Sequence, residues 1–295
     1  MTVLMPDLPD RPTVSALRTR SRRSYRRLGV ALACAAAAMA VHASAQAQAP
    51  AWSCDGHCGN LGADGVVTLA PGGGSYYSYV STDGGLDGIG LSGIEGDGAN
   101  ENGSVLRSAP VAFGAGTALT FAFNFVTSDG SNYSDYAWAR LLHADGTPAA
   151  LLFTARTSNE FATVPGRGMP AVAATLTPAS SNVNGGATTW SPLGPWSGDC
   201  YEAGCGYTGW ISSRYVVATT GSYRVEVGVT NWGDDIYDSG LAFSVTDAGP
   251  LQQPPPIPEP AHWTLLLAGL TALSAIPRLR HHRGVRHGHR TQAQP

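Results

Sequence analysis

Four cysteines sit where they can react in pairs, Cys54 with Cys58 and Cys200 with Cys205. A fifth, Cys34, lies in an Ala-rich N-terminal run. An even set of thiols in an exported chain reads as a disulfide framework. Local pairing is the first expectation and gives two small clasped loops. Cross-pairing would close longer loops and constrain the unfolded chain more. A zinc set from these thiols with His57 is the competing chemistry, but the spacing matches no familiar ligand pattern.

Carboxylates supply a second chemistry. Asp83 and Asp87, then Glu95, Asp97 and Glu101, then Asp129 and Asp135, then Asp234, Asp235 and Asp238 fall at loop positions. Such loops can give Ca²⁺ oxygen ligands, with backbone carbonyls completing the shell. None has EF-hand spacing, since Asp97 is followed by Ala99 and Glu101 where Asx is needed. Asp234, Asp235 and Asp238 are the candidate structural Ca²⁺ ligands. The competing reading is that Asp and Asn here simply make turns. No cofactor is otherwise required.

Aromatic residues offer a third. Exposed Trp side chains stack on sugar rings, and Trp190 and Trp196 lie in a Pro/Gly-rich run, residues 189–198, that predicts exposure. They are the candidate carbohydrate contacts. Trp138 and Trp210 fall in strand-like stretches and are assigned to the core. Catalysis finds little support: between the terminal segments the histidines are His57 and His143, and no G-x-S-x-G, H-E-x-x-H or phosphate-binding glycine loop occurs. Paired carboxylates for glycoside cleavage remain as an alternative.

These groups need elements to hold them. Leu119, Phe121, Phe123 and Phe125 alternate with polar or small residues, as do Tyr223, Val225, Val227 and Val229. That period predicts strands with one face in a core and the other toward water. Further strands are predicted at residues 66–69, 76–80, 136–142, 151–154, 171–176, 207–217 and 240–245. Gly, Asn, Asp and Pro clusters separate them. The chain has 37 Gly, and charged residues are 13% of it, a mix that suits tight turns over long helices. The fold class expected for residues 51–248 is all-β, an antiparallel β-sandwich or jelly roll.

The ends read as addresses. Arg22, Arg23, Arg26 and Arg27 precede an apolar run and then Ala43-Ser44-Ala45, so residues 1–45 are a signal peptide with a leader, cut by signal peptidase. Residues 249–256 form a Pro-rich linker. Pro258-Glu259-Pro260 follows, then an apolar stretch at about 261–277, then Arg278, Arg280, Arg283 and Arg286. Residues 287–295 close a basic tail that the positive-inside rule keeps in the cytoplasm. Between the two ends, six Arg stand against eighteen Asp and Glu from Asp55 to Asp247, a formal excess of twelve negative charges. That acidic body argues against a nucleic-acid partner.

The order Pro258-Glu259-Pro260, apolar helix, Arg cluster resembles the PEP-CTERM sorting signal of Gram-negative bacteria over residues 257–286. The resemblance implies an exosortase as partner, an inner-membrane transmembrane helix with the body in the periplasm, and delivery to the cell surface or matrix after processing. It also implies an exopolysaccharide or biofilm context. Residues 123–137 and 231–241 resemble choice-of-anchor β-sandwich domains, a group that carries over no catalytic residues. The expectation is therefore a non-enzymatic surface or matrix protein. A carbohydrate-binding module is the alternative and a secreted glycoside hydrolase the second.

Overall fold

The computed structural model describes residues 52–256. The signal segment and the sorting segment, with Pro258, Glu259, Pro260, Arg278, Arg280 and Arg283, lie outside the described residues. Among the described residues no helix is long and apolar enough to cross a membrane.

The fold is all-β, with two antiparallel sheets and one short 3₁₀ segment, Ser191–Trp196. One sheet holds β1 (Trp52–Asp55), β4 (Leu86–Asp87), β5 (Asn100–Ser108), β6 (Val111–Phe113), β8 (Tyr136–His143), β9 (Pro148–Arg156) and β14 (Gly221–Trp232). Its main path runs β1-β5-β14-β8-β9. The other holds β2 (His57–Leu61), β3 (Tyr77–Ser81), β7 (Ala118–Thr127), β10 (Thr175–Thr177), β11 (Asn184–Gly185), β12 (Gly206–Tyr207), β13 (Ile211–Val216) and β15 (Ser239–Asp247). Its main path runs β10-β13-β7-β15-β3-β2.

The alternating apolar residues meet between the sheets. Phe121, Phe123 and Phe125 of β7 and Leu241 and Phe243 of β15 share one buried cluster with Val225, Val227 and Val229 of β14. Phe123 stacks on Phe153 of β9 with ring centroids 4.7 Å apart. Each such side chain contributes about 1.5–3 kcal/mol by leaving water.

Part of each second face is covered, which corrects the simple alternation there, although the outer face of β13 keeps Ser212, Arg214 and Val216 exposed. Val126 and Ala242, on the outer face of their sheet, are covered by Tyr77, Trp190 and Leu193. Tyr136, Trp138 and Trp232, on the outer face of the other sheet, pack with Leu91 and Val105. Irregular segments therefore act as extra layers over these parts of the sheets, so β7, β8, β14 and β15 are largely buried on both sides.

Other expectations shift in detail. Residues 66–69 are not a strand; Asp64 and Val67 exchange backbone hydrogen bonds in a tight turn. The strand expected at 171–176 shrinks to β10, and the one at 207–217 divides into β12 and β13. Strands β1, β2, β4, β5, β6 and β11 were not predicted. Cys54 pairs with Cys58 and Cys200 with Cys205, with Cα separations of 6.1 and 5.7 Å. The zinc and cross-paired alternatives are thereby set aside. The first bond joins β1 of one sheet to β2 of the other.

Candidate functional site

Three loops converge at one end of the sandwich: residues 128–135 after β7, residues 233–238 after β14, and the disulfide loop Cys200–Cys205. Tyr201 N–H donates to the Ser128 carbonyl at 3.0 Å, and Ser131 N–H to the Ala203 carbonyl at 2.9 Å. Asn132 N–H donates to Glu202 Oε1 at 3.2 Å. Ser128 N–H and hydroxyl both donate to the Asp238 carbonyl, at 3.0 and 2.8 Å. The Cys200–Cys205 bond thus fixes Tyr201 and Glu202 against the other two loops.

The lower layer of this end is polar and buried. Asp135 is fully buried; its Oδ1 accepts from Trp232 N–H at 2.9 Å and its Oδ2 from Ser239 Oγ at 2.6 Å. Ser239 Oγ also bonds Thr127 Oγ1 at 2.8 Å, which in turn accepts from Asp129 N–H at 3.0 Å. Asp129 Oδ1 accepts from Gly130 N–H, while its Oδ2 has no partner. Burial pushes the Asp129 carboxyl up to about 7, with Asp234 and Glu202 adding to the rise against the Gly130 bond. Burial, then the Asp129 charge, holds Asp135 well above the usual carboxylate range. Asp238 is raised to about 6 by burial, opposed by its hydrogen bond from Thr82 Oγ1 at 2.7 Å.

The upper layer is aromatic. Trp196 and Tyr237 have ring centroids 4.2 Å apart, Tyr237 and Tyr201 5.0 Å, and Tyr201 and Tyr133 5.9 Å. Tyr201 is half exposed, at 50%, and the other three are partly exposed. Tyr237 has φ +60°, the one non-glycine residue with positive φ among the described residues. A bulky side chain rarely adopts that conformation, and its cost of about 1–3 kcal/mol marks a position held for a purpose. Here it turns the ring between Trp196 and Tyr201. Gly194, at φ +55°, makes the matching reversal between buried Leu193 and Trp196.

Beside the string lies an open polar groove of about 540 Å³, lined among others by Glu95, Asn132, Arg156, Glu160, Phe161 and Arg167. Arg167 sits over the Phe161 ring, 3.8 Å from its centroid. Arg156 donates to the carbonyls of Ser134, Glu95 and Arg167 and so ties three segments together.

The candidate residues separate. Trp190 is a correction: it is fully buried and donates Nε1–H to Tyr77 Oη at 2.9 Å. Its Pro/Gly-rich setting marked a covering segment and not an exposed loop. Gly240 admits it, since a Cβ there would lie 2.5 Å from the indole. Trp196 stays at the surface. Trp138 is core, as expected, whereas Trp210 is only partly buried. Asp234, Asp235 and Asp238 do not converge. Asp234 Oδ1 accepts from Ile236 N–H within its own loop, Asp235 is exposed, and Asp238 bonds Thr82. Among the described residues no three His, Cys, Asp or Glu side chains form a metal set.

Tyr133, Tyr201, Tyr237 and Asn231 were not singled out from the sequence. Asn231 had a legible signal, because it ends the Val225, Val227, Val229 alternation and so inherits an inward position.

No protein-family model and no curated protein matches the chain. Among the solved structures that resemble it distantly are two of different kinds. One is an arabinose-bound GH51 α-L-arabinofuranosidase, at 12% identity and TM-score 0.27 over 68% of this chain. The match spans 23% of that enzyme. The other is the K1 cleaved adhesin domain of Lys-gingipain from Porphyromonas gingivalis W83, at 12% identity and TM-score 0.25 over 69% of this chain and 88% of that one. At these scores neither likeness bears on what this chain does.

Proposed function

We propose that the protein is an exported, envelope-anchored, non-enzymatic surface or matrix component, sorted by an exosortase through residues 257–286. The observation that carries this reading is the pair of local disulfides, Cys54–Cys58 and Cys200–Cys205. Such thiols stay oxidised outside the cytoplasm, and they stand in a chain with an export signal before them and a Pro-Glu-Pro segment after. The repeated passage of the chain between the two sheets is read as jelly-roll-like. Cell fractionation with and without the exosortase gene tests the assignment. The expected result is protein in the membrane and matrix fractions that shifts, unprocessed, to the inner membrane when the exosortase is lost. Reduced protein found only in the cytoplasm sinks it.

A second reading concerns what the domain touches. The string Tyr133–Tyr201–Tyr237–Trp196, beside a groove rich in Asn, Arg and Glu, has the components of a carbohydrate-binding face: flat rings for sugar stacking and polar groups for hydroxyls. On this reading the partner is an exopolysaccharide. Replacing Tyr237 or Tyr201 with Ala is expected to weaken retardation in polysaccharide affinity gels at least about tenfold, the loss of roughly 1.4 kcal/mol. Unchanged mobility in both variants removes the string from any sugar contact.

A further inference from the structure

We propose that a hard divalent cation of the Ca²⁺ class binds between the two sheets at the loop end, held by the carboxylates of Asp129 and Asp135 and the amide oxygen of Asn231. The site differs from the Asp234–Asp238 loop and does not rest on the surface-protein reading.

The ladder places the ligands together. Strands β14 and β8 pair through Thr230 opposite Tyr136. One residue further along that register sets Asn231 across from Asp135. Both continue inward-facing series, Val225-Val227-Val229 on β14 and Ala137-Ala139-Leu141 on β8. The Ser239 bond shows that Asp135 points to the opposite sheet. There Ser239 Oγ bonds Thr127 Oγ1, and that oxygen accepts the backbone N–H of Asp129, which brings the start of the 128–135 loop beside Asp135.

Asn231 is the independent observation. It is fully buried, and neither Oδ1 nor Nδ2 has a partner. Leaving buried polar atoms unpaired costs about 1–3 kcal/mol each, so an orphaned amide in an ordered core asks for a ligand. Asp129 Oδ2 is likewise buried and unpartnered. Asn102 Oδ1 is a further orphan, on the neighbouring strand β5, whose Gly103 pairs with Thr230.

Charge points the same way. Among the described residues neither Asp129 nor Asp135 joins an ion pair. The charged groups that act on Asp129 are Asp234 and Glu202, and those on Asp135 are Asp129 and Asp234, all acidic. A shared proton would relieve the two carboxyls but would leave Asn231 without a partner. A cation relieves the two carboxyls and the Asn231 amide oxygen together, and leaves the Asn231 Nδ2 to a water or a neighbouring carbonyl. The donors are all oxygens, which favours Ca²⁺ over zinc or copper. Each Asp135 oxygen keeps a lone pair beyond its present bond. Backbone carbonyls of the two loops and water would complete a shell of about six to eight oxygens. The bound ion would lock residues 128–135 to β14 and so set the position of Tyr133 in the aromatic string.

The test uses the full chain in detergent, stripped with a chelator and then titrated with Ca²⁺ and separately with Tb³⁺. Trp232, whose N–H bonds Asp135, is placed to sensitise terbium emission. The expected result is saturable emission displaced by Ca²⁺. At about a hundredfold excess over Kd, Ca²⁺ should also raise the melting temperature by several degrees. Asp129→Asn and Asn231→Leu each cut the affinity at least about tenfold, while Asp234→Asn with Asp235→Asn, which removes nearby charge but no ligand, costs clearly less. Absence of both emission and a Ca²⁺-dependent melting shift in the wild-type chain overturns the proposal, whatever the variants do. So does binding that survives in Asp129→Asn and Asn231→Leu but is lost in the Asp234/Asp235 pair.

Discussion

Glu226→Ala lowers the stability of the domain by about 3–5 kcal/mol, because it strips a buried anion from the groups built around it. Glu226 is 1% exposed, in the middle of β14. Its Oε1 accepts from Arg140 Nε at 2.6 Å and from Trp138 Nε1 at 3.0 Å. Its Oε2 accepts from Arg107 Nε at 2.7 Å. Removing the carboxylate orphans the Trp138 N–H under the covering layer and leaves two guanidinium groups facing each other across β14. Arg107 keeps a bond to Asp55, so part of its charge remains balanced.

Urea titration of the variant should show a lower midpoint at unchanged slope. A loss under about 1 kcal/mol would mean that the arginines swing into water at no cost, as surface pairs do. The wild type adds a pH signature. Burial pulls the Glu226 carboxyl up, but the bonds from Arg140, Trp138 and Arg107 outweigh it and hold the group below its ordinary 4.5. A depressed folded pKa means that this contribution is complete above the unfolded value and is lost as pH falls through the folded one. The Glu226→Ala penalty should therefore shrink in acid and be largest near neutrality.

Trp190→Ala is the second large loss, about 3–5 kcal/mol for a fully buried indole. The indole covers the outer face of β15 and β3 and satisfies Tyr77 Oη. In the wild type, burial drives the Tyr77 phenol far above its ordinary value, and losing Trp190 takes away both that cover and the N–H that Tyr77 Oη accepts. The variant should melt at a much lower temperature and expose Tyr77 to solvent quenching.

Trp196→Ala is the informative contrast, at the far end of the 3₁₀ segment that Trp190 precedes. Its ring is partly exposed on Tyr237, so its removal costs no more than about 1 kcal/mol while reducing polysaccharide retention. Equal stability losses in the two variants would contradict the division of this segment into one core residue and one surface residue.

How far the sequence could be read follows from what its patterns encode. Alternation at Leu119–Phe125 and Tyr223–Val229 located the two central strands, because a period of two is a local property. It could not say that the second face is covered, since Trp190 and Leu193 come from far along the chain. The close Cys spacings carried the disulfide pairing because a short loop leaves few partners in reach. Strand β5, with the sequence NENGSVLRS, escaped notice because its inward positions are Asn102, Ser104, Leu106 and Ser108, mostly polar. Ser104 Oγ donates to the Ser81 carbonyl, and Asn102 Nδ2 to the Thr82 carbonyl, across the gap between sheets. Hydrogen bonds between sheets do the work that apolar contacts do elsewhere, and no hydrophobic pattern reports them. Likewise Asp129 and Asp135 were legible as loop acids, but not the burial that separates them from turn residues.

The strap that follows β15 has a mechanical meaning. Gln252 accepts from Trp52 Nε1 at 3.1 Å, Asn60 Nδ2 donates to the Pro255 carbonyl at 3.0 Å, and Gln253 bonds Ser78, Val245 and Phe243. The last described residues are thus stitched to the first. A pull applied at Pro256 acts on the same corner where the described residues begin. Its load passes through the strap into β2, β3 and β15 of one sheet, and through Trp52 and the Cys54–Cys58 bond into β1 of the other. Tension is shared between both sheets before either can peel, and the loop end carrying the aromatic string takes no direct part in bearing it.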